Sequence, residues 1–301
     1  MALTGGTGFI GSAVGEALAA AQAATTALVR AAPGAPVPGR RLVRGDLSTP
    51  SSLPDLVAGA DVLVHAASYV GADPELQEAV NAAGTAHLVR AAREAGVRRL
   101  VYVSTAGVYG GTLRGGERED EAVVAPGSTL NASRRAAEQV MLAAGGLVVR
   151  PHLVFGAGDR WFLGALLPLV QALGAQIGDG QALVSVIDRL TLGRVVAALA
   201  LGDAPAGVYH AALVEPVRVG ELVALAHAAT GVALPTAVLG ADEAAQRLAP
   251  FGVRPSQLAL VTADSWFDSR AVWAATGLVP PARPVIDEPA AAWYRALLAR
   301  H

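Results

Sequence analysis

The chain has 301 residues, 53% of them hydrophobic and 16% charged, enough for a large buried core and incompatible with a disordered chain. A formal net charge of −2 leaves no surplus positive field to hold nucleic acid or a membrane surface. Cysteine is absent and all 23 basic residues are arginine, so disulfides, thiolate nucleophiles, Cys-ligated metals, Schiff bases and Tyr–Lys proton relays are all excluded.

The first strand closes at Ala2-Leu3-Thr4. It is short for a buried strand, which predicts that residues upstream of Met1 are missing. The first cation is Arg30, so no positively charged signal region opens the chain, and a cytoplasmic protein is expected. The most apolar stretch, Trp161 to Gly178, carries Pro168, Gln171 and Gln176 and reads as a buried helix rather than a membrane span.

Thr4-Gly5-Gly6-Thr7-Gly8-Phe9-Ile10-Gly11 stands between that strand and an Ala-rich helix predicted over Ser12–Ala24. Gly5 and Gly8 permit a tight turn and close approach to a pyrophosphate, and Gly11 lets the helix pack near the strand. Thr7, Phe9 and Ile10 ride on the same loop. The pattern therefore predicts a dinucleotide site. A second strand, Thr26–Arg30, ends on a guanidinium where an NAD enzyme would carry an acid for the adenosine ribose. Arg30 suits a 2′-phosphate instead, so NADPH is favoured, with NADH possible. Asp46-Leu47, after a third short strand, is placed to meet the adenine.

Further on come a buried strand from Asp61 to Ala66, a helix from Ala79 to Ala95 closed by Gly96, a strand from Leu100 to Ser104, a helix from Ser133 to Ala144 and a strand from Leu147 to Arg150. This alternation predicts an α/β fold, a Rossmann-type doubly wound parallel sheet. Beyond Pro151 the rhythm loosens. Strands at Leu183–Ile187 and Gly207–Ala211 and helices at Leu190–Leu201 and Val219–Thr230 predict a smaller C-terminal region. The expected division is a cofactor-binding core over 1–155 and a mainly substrate-binding region over 156–301, some of whose elements return to the core.

The pattern resembles the extended short-chain dehydrogenase/reductases over nearly the whole length. Gly45-Asp46-Leu47, His65-Ala66-Ala67, Asn81-x-x-Gly84-Thr85, Val101 to Gly110, Arg150-Pro151-x-x-Val154-x-Gly156, Val184 to Asp188 and Gly207 to His210 fall in that family's order. The family's Tyr-x-x-x-Lys helix motif is missing: the matching stretch places Leu130 at the tyrosine and Arg134 at the lysine. None of the five tyrosines falls on this helix. The resemblance implies that Thr105, with Ser104 beside it, polarises a substrate carbonyl. It also implies that Ala66, Ala67, Arg134 and Pro151 join the cofactor site, and that Ser68, Tyr69, Tyr109, Leu130 and His152 line the substrate cleft. Tyr69 is weighed as a substitute acid, and Asn131 or Ser133 as a cap or a cleft residue.

Three functions follow as expectations. The first is an atypical ketoreductase, similar in character to angucyclinone reductases that lack the dyad, in which a substrate phenol or water supplies the proton. The second is a catalytically silent NADP-binding regulator. The third is a sugar-nucleotide 4-ketoreductase, since epimerases and dehydratases need the tyrosine as a base and dehydratases resemble one another in an Asp-Glu pair where this chain has Ala106-Gly107. A small hydrophobic substrate, no metal, no nucleic acid, no membrane and a monomer or homodimer complete the expectations. The six histidines are scattered, with no His-x-x-x-His pair.

Overall fold

Ala2, Leu3 and Thr4 are fully buried in a computed structural model that describes residues 1–31, 40–111, 113 and 115–299. They form β1 (Ala2–Thr4), an interior strand of a seven-stranded sheet whose paired strands all run parallel. After it come α1 (Phe9–Ala20), β2 (Thr25–Val29), β3 (Arg40–Arg44), α2 (Pro54–Val57) and β4 (Val62–His65). Then follow α3 (Pro74–Gln77), a π-helical turn over Glu78–Ala83, α4 (Gly84–Glu94), β5 (Arg99–Val103), α5 (Thr129–Ala143) and β6 (Leu147–Pro151).

The second half adds β7 (Leu153–Phe155), α6 (Leu163–Leu173), β8 (Ala175–Ile177), β9 (Leu183–Val184), β10 (Val186–Asp188), α7 (Arg189–Leu201), β11 (Gly207–Ala211), β12 (Val217–Arg218), α8 (Val219–Thr230) and β13 (Ala237–Leu239). It closes with α9 (Ala241–Leu248), α10 (Pro255–Thr262), α11 (Arg270–Thr276) and α12 (Glu288–Leu298). The order across the large sheet is β11-β6-β5-β4-β1-β2-β3. The chain winds outward in both directions from β1, so the crevice where the order reverses opens between β1 and β4 at the strands' C-terminal ends. An open α/β sheet takes its ligand there. This is the Rossmann-type α/β fold expected from the alternation.

Strands buried on both faces read as unbroken apolar runs, and Leu100–Val103 and Leu147–Val149 do so. One apolar cluster under α1 and α7 joins Leu3, Val64 and Val101 to Val195, Leu199 and Trp273. A second, built from Leu153 to Leu298, fills the C-terminal half. Among the described residues no helix is long and apolar enough to cross a membrane. The apolar run from Trp161 is the buried helix α6 with Pro168 inside it.

Several boundaries differ from the sequence reading. Helix α1 begins at Phe9 and not Ser12, because Gly8 caps it without a side chain. It stops at Ala20 and not Ala24, where Gln22 turns to a φ of 55°. The helix expected from Ala79 is entered five residues earlier at Pro74, where the Asp73 carboxylate accepts from the backbone N–H groups of Glu75 and Leu76. Ser128 caps α5, so it starts at Thr129 rather than Ser133. The strand expected over Leu183–Ile187 is two strands in different small sheets, divided at Ser185, whose N–H donates to the Ser265 carbonyl.

Candidate active site

The glycine loop folds tightly enough that only glycine fits two of its positions. Gly5 has φ of 73°, and a Cβ there would lie 2.5 Å from the Ala66 carbonyl carbon. A Cβ on Gly11 would lie 2.1 Å from the Gly5 oxygen. Gly8 donates to the Gly5 carbonyl at 2.8 Å, closing the turn over the start of α1. The loop borders a cavity of about 370 Å³ lined by Thr4, Gly5, Thr7, Gly8, Arg30, Asp46, Leu47, Ala66 and Ala67. Backbone N–H groups at a helix start and a long apolar-floored cavity fit the pyrophosphate and adenosine of a dinucleotide.

Arg30 also lines a smaller pocket of about 250 Å³ with Arg44, Asp46, Thr49 and Ser52. Asp46 is turned onto its own loop, its carboxylate accepting from Ser48 N at 2.8 Å and Ser48 Oγ at 2.6 Å. The Ser48 hydroxyl bond holds that carboxyl below its ordinary range, with the Arg30 charge contributing. Two guanidinium groups beside a pocket of this size fit a phosphate monoester. Arg44 was not singled out in the sequence, because an exposed strand-end arginine carries no local signal.

A second cavity of about 460 Å³ continues from the first, sharing Gly8, Ala66, Ser68 and Val70. Phe9, Ile10, Gly11, Val103, Ser104, Thr105, Gly107, Leu130, Asn131, Arg134, Pro151 and His152 line its inner part. Its outer wall is Leu153, Val154, Trp161, Phe162 and Leu260. Trp161 is 61% exposed and its ring sits 6.1 Å from that of Phe9.

Thr105 follows the end of β5. Its Oγ accepts the Gly107 N–H at 3.0 Å, which leaves the hydroxyl proton free to donate. Ser104 is buried, and its hydroxyl has no hydrogen-bond partner among the described residues. Arg134 donates from Nη2 to the Val103 carbonyl at 3.1 Å, and its buried Nε has no partner among the described residues. Leu130 presents a hydrocarbon wall where the motif would put a phenol. His152 accepts or donates at Nε2 to Ser265 Oγ at 2.9 Å, and burial pushes it down to about 4.

Beneath the site His65 lies between Thr4 and Thr85, at 2.6 and 2.9 Å. Thr85 spends its proton on the Asn81 carbonyl, so His65 carries its proton on Nε2 and accepts from Thr4 at Nδ1. Burial drives its pKa down to about 3, with Arg134 adding to the effect. Asn81 ties the 68–69 loop to α5: its Oδ1 accepts from Tyr69 N at 2.7 Å and its Nδ2 donates to Ser133 Oγ at 3.1 Å.

Two residues expected in the substrate cleft stand elsewhere. Tyr109 is fully buried, with its hydroxyl between Arg150 Nη1 at 2.7 Å and His210 Nε2 at 2.5 Å. It is a core residue because the 3₁₀ turn Ala106–Tyr109 swings it under the sheet edge. Tyr69 lines the dinucleotide cavity rather than the inner cleft, its ring packed against Gly71. Neither phenol reaches the place that Leu130 leaves vacant. Among the described residues no group of three His, Asp or Glu could hold a metal ion.

Residues 1–173 match the NAD dependent epimerase/dehydratase family. The chain is 34% identical over 191 residues to a 4-hydroxy-2-methyl-3-oxo-4-farnesyl-3,4-dihydroquinoline-1-oxide ketoreductase of Stigmatella aurantiaca, covering 59% of this chain and 57% of that protein. It is 32% identical over 251 residues to a 2-alkyl-3-oxoalkanoate reductase of Stenotrophomonas maltophilia, covering 76% and 75%. In fold it is similar to MoeE5 in complex with UDP-glucose and NAD, with a TM-score of 0.74 at 24% identity over 99% of this chain and 98% of that one. RMD from Pseudomonas aeruginosa complexed with NADPH gives 0.70 at 19% identity, covering 98% of each.

Proposed function

This chain belongs to the NAD dependent epimerase/dehydratase family, and from that premise we propose that it is an NADPH-dependent ketoreductase acting on a ring ketone of a hydrophobic, angucyclinone-like aromatic polyketide. The observation that carries the substrate class is the cleft wall. Arg134 is the one charged side chain among the described residues lining the inner cavity, and it is already engaged by Val103. A sugar nucleotide would bring a diphosphate into this space with no second cation to meet it, which weighs against a sugar-nucleotide 4-ketoreductase. A flat apolar ketone would meet Leu130, Leu153, Trp161, Phe162 and Leu260 instead. The Stigmatella relative, named as a ketoreductase of a fused-ring ketone, supports the same reading.

A reduced dinucleotide, held by the glycine loop, Arg30 and the residues lining the two cavities, would supply the hydride for the substrate's carbonyl carbon. The chain's own part is to hold the carbonyl, exclude water and stabilise charge on its oxygen. Gly5, Gly8 and Gly11 would bring backbone close to the pyrophosphate. Arg30 and Arg44 would take the 2′-phosphate. Replacing both by alanine is expected to weaken NADPH binding by about 10–100-fold, the worth of charge-assisted hydrogen bonds. NADH binding should stay nearly unchanged in the same fluorescence titration. Equal losses for the two cofactors would remove the case for NADPH.

Among the described residues lining the second cavity, none brings a side-chain acid with a mid-range pKa. Leu130 has no proton to give, a threonine hydroxyl is too weak an acid, and His152 is neutral well above its pKa of about 4. The proton for the alkoxide would come from a phenol on the substrate or from water. Thr105→Ala is accordingly expected to slow turnover by less than about 100-fold, since it removes one hydrogen bond and not an acid. Leu130→Tyr should restore little, because no lysine stands beside it.

The test is NADPH consumption with hydroxylated polyketide ketones, run beside their methyl ethers at the neighbouring phenol. Turnover of free phenols and silence with the ethers is the expected pair of results. Tight NADPH binding with no turnover of any ketone would instead identify a silent NADP-binding protein.

A further inference from the structure

A reductase without an acid must hold its alkoxide long enough for an outside proton to arrive. Thr105 supplies one donor, and one hydroxyl is a thin hole for a developing negative charge. The neighbouring residue that could complete it is Asn131, one position past Leu130 in the first turn of α5. The helix fixes its backbone there, since Ser128 caps the Asn131 N–H at 3.2 Å. Its carboxamide lies against Gly107: a Cβ on that glycine would stand 2.7 Å from Oδ1 and 2.9 Å from Nδ2. The space left by the missing side chain is therefore filled by the amide. Gly107 is also the residue whose N–H orients the Thr105 hydroxyl.

Arg134 follows at i+3 on the same helix face, so amide and guanidinium look into one part of the cleft. Among the described residues the Asn131 carboxamide is bound to no other side chain, whereas the other amide close by, Asn81, is spent on Tyr69 and Ser133.

We propose that Asn131 is a catalytic residue, donating from Nδ2 to the substrate's carbonyl oxygen as the second member of an oxyanion hole with Thr105. This rests on the ketoreductase reading above. When hydride adds to the carbonyl carbon, the C=O π pair moves onto oxygen, and Nδ2–H and the Thr105 hydroxyl hold the resulting alkoxide. The alkoxide then takes a proton from the substrate's phenol, leaving a phenolate, or from water, leaving hydroxide. The amide keeps its own protons throughout, so Asn131 replaces the lost tyrosine in binding charge and not in moving a proton.

The test uses the full chain, NADPH and hydroxylated aryl ketones for turnover, and α-tetralone with NADP⁺ for an infrared reading of the bound carbonyl. Asn131→Ala is expected to lower kcat by about 100-fold, with NADPH affinity and thermal midpoint unchanged. The bound carbonyl stretch should move back toward that of free ketone. In Asn131→Asp, turnover should rise as pH falls through the new carboxyl's titration, because only the protonated carboxyl can donate; the parent should be flat over that range. A kcat for Asn131→Ala within about threefold of the parent, far short of a lost oxyanion donor, together with an unmoved carbonyl stretch, would overturn the proposal while leaving the ketoreductase reading standing. If the parent neither binds α-tetralone nor reduces any of these ketones, the substrate reading fails and the role of Asn131 falls with it.

Discussion

Glu138→Gln is expected to cost about 3–5 kcal/mol of folding stability, the price of leaving a buried guanidinium without its anion. Glu138 is fully buried, and Arg150 is nearly so. Arg150 grips the carboxylate with two parallel bonds, Nε to Oε1 at 2.8 Å and Nη2 to Oε2 at 2.6 Å. Arg135 adds a third at 2.9 Å. Burial alone would raise the Glu138 carboxyl, but the hydrogen bonds and charge of Arg150 outweigh it and hold the pKa below the ordinary range.

The network does not stop at the pair. Arg150 Nη1 donates to Tyr109, and its guanidinium lies 4.9 Å from the centre of that ring. His210 Nδ1 meets the Asp268 carbonyl at 3.0 Å, which makes it the donor there and leaves Nε2 to accept from Tyr109. Helix α5, strands β6 and β11 and the turn that follows Thr105 are thereby tied to one point.

A glutamine would keep the volume but turn an N–H₂ group toward a guanidinium. Replacing both partners by methionine should cost much less than Glu138→Gln alone, because neither charge then remains buried. Urea midpoints of the two variants decide the matter. A loss under about 1 kcal/mol for Glu138→Gln, the scale of an exposed pair, would mean the pair is not structural. The same anchoring explains why Tyr109 serves the loop bearing Thr105 rather than the substrate.

The parts of this molecule that a local pattern dictates were legible before the structure. Gly5 and Gly11 declare a loop only glycine can make, and apolar runs such as Leu100–Val103 declare strands buried on both faces. Boundaries set by unmarked residues were not. Gln22 ends α1 in a left-handed turn inside a run of alanines, and the π turn over Glu78–Ala83 has no local signature.

In the site, the loss of the Tyr–Lys pair could be read from Leu130 and Arg134 directly. What filled the vacancy could not, because Asn131 meets Gly107 only after α5 has folded back along β5. Tyr109 went astray for the opposite reason. A strand-end tyrosine reads as a pocket wall until its partners, Arg150 and His210, are seen 41 and 101 residues away.

The second large effect should come from acid. Taking the protein from pH 7 to pH 5 is expected to remove about 5–6 kcal/mol of stability through His65, His152 and His210, roughly 2 kcal/mol each. All three are neutral, with pKa values pushed by burial to about 3 for His65 and about 4 for His152 and His210. In the unfolded chain a histidine titrates near its model value of 6.5. Between these limits the unfolded state binds more protons than the folded one. The stabilisation is therefore complete above about pH 6.5 and is lost as pH falls toward 4.

Glu119 and Asp159, raised by burial, run the other way and return part of the loss at the lower end of that window. Denaturant titrations at intervals across the range should show stability falling with a slope near three protons per molecule around pH 5. His210→Gln should remove roughly a third of that slope, even if it lowers the starting value. A midpoint unchanged from pH 7 to pH 5 would mean that these rings are not held neutral. In the folded chain His65 stays neutral until about pH 3, so the loss near pH 5 comes from proton uptake by the unfolded state and not from a charge set beside Arg134. Activity should therefore fall only as the folded fraction falls, and not through titration of any catalytic acid.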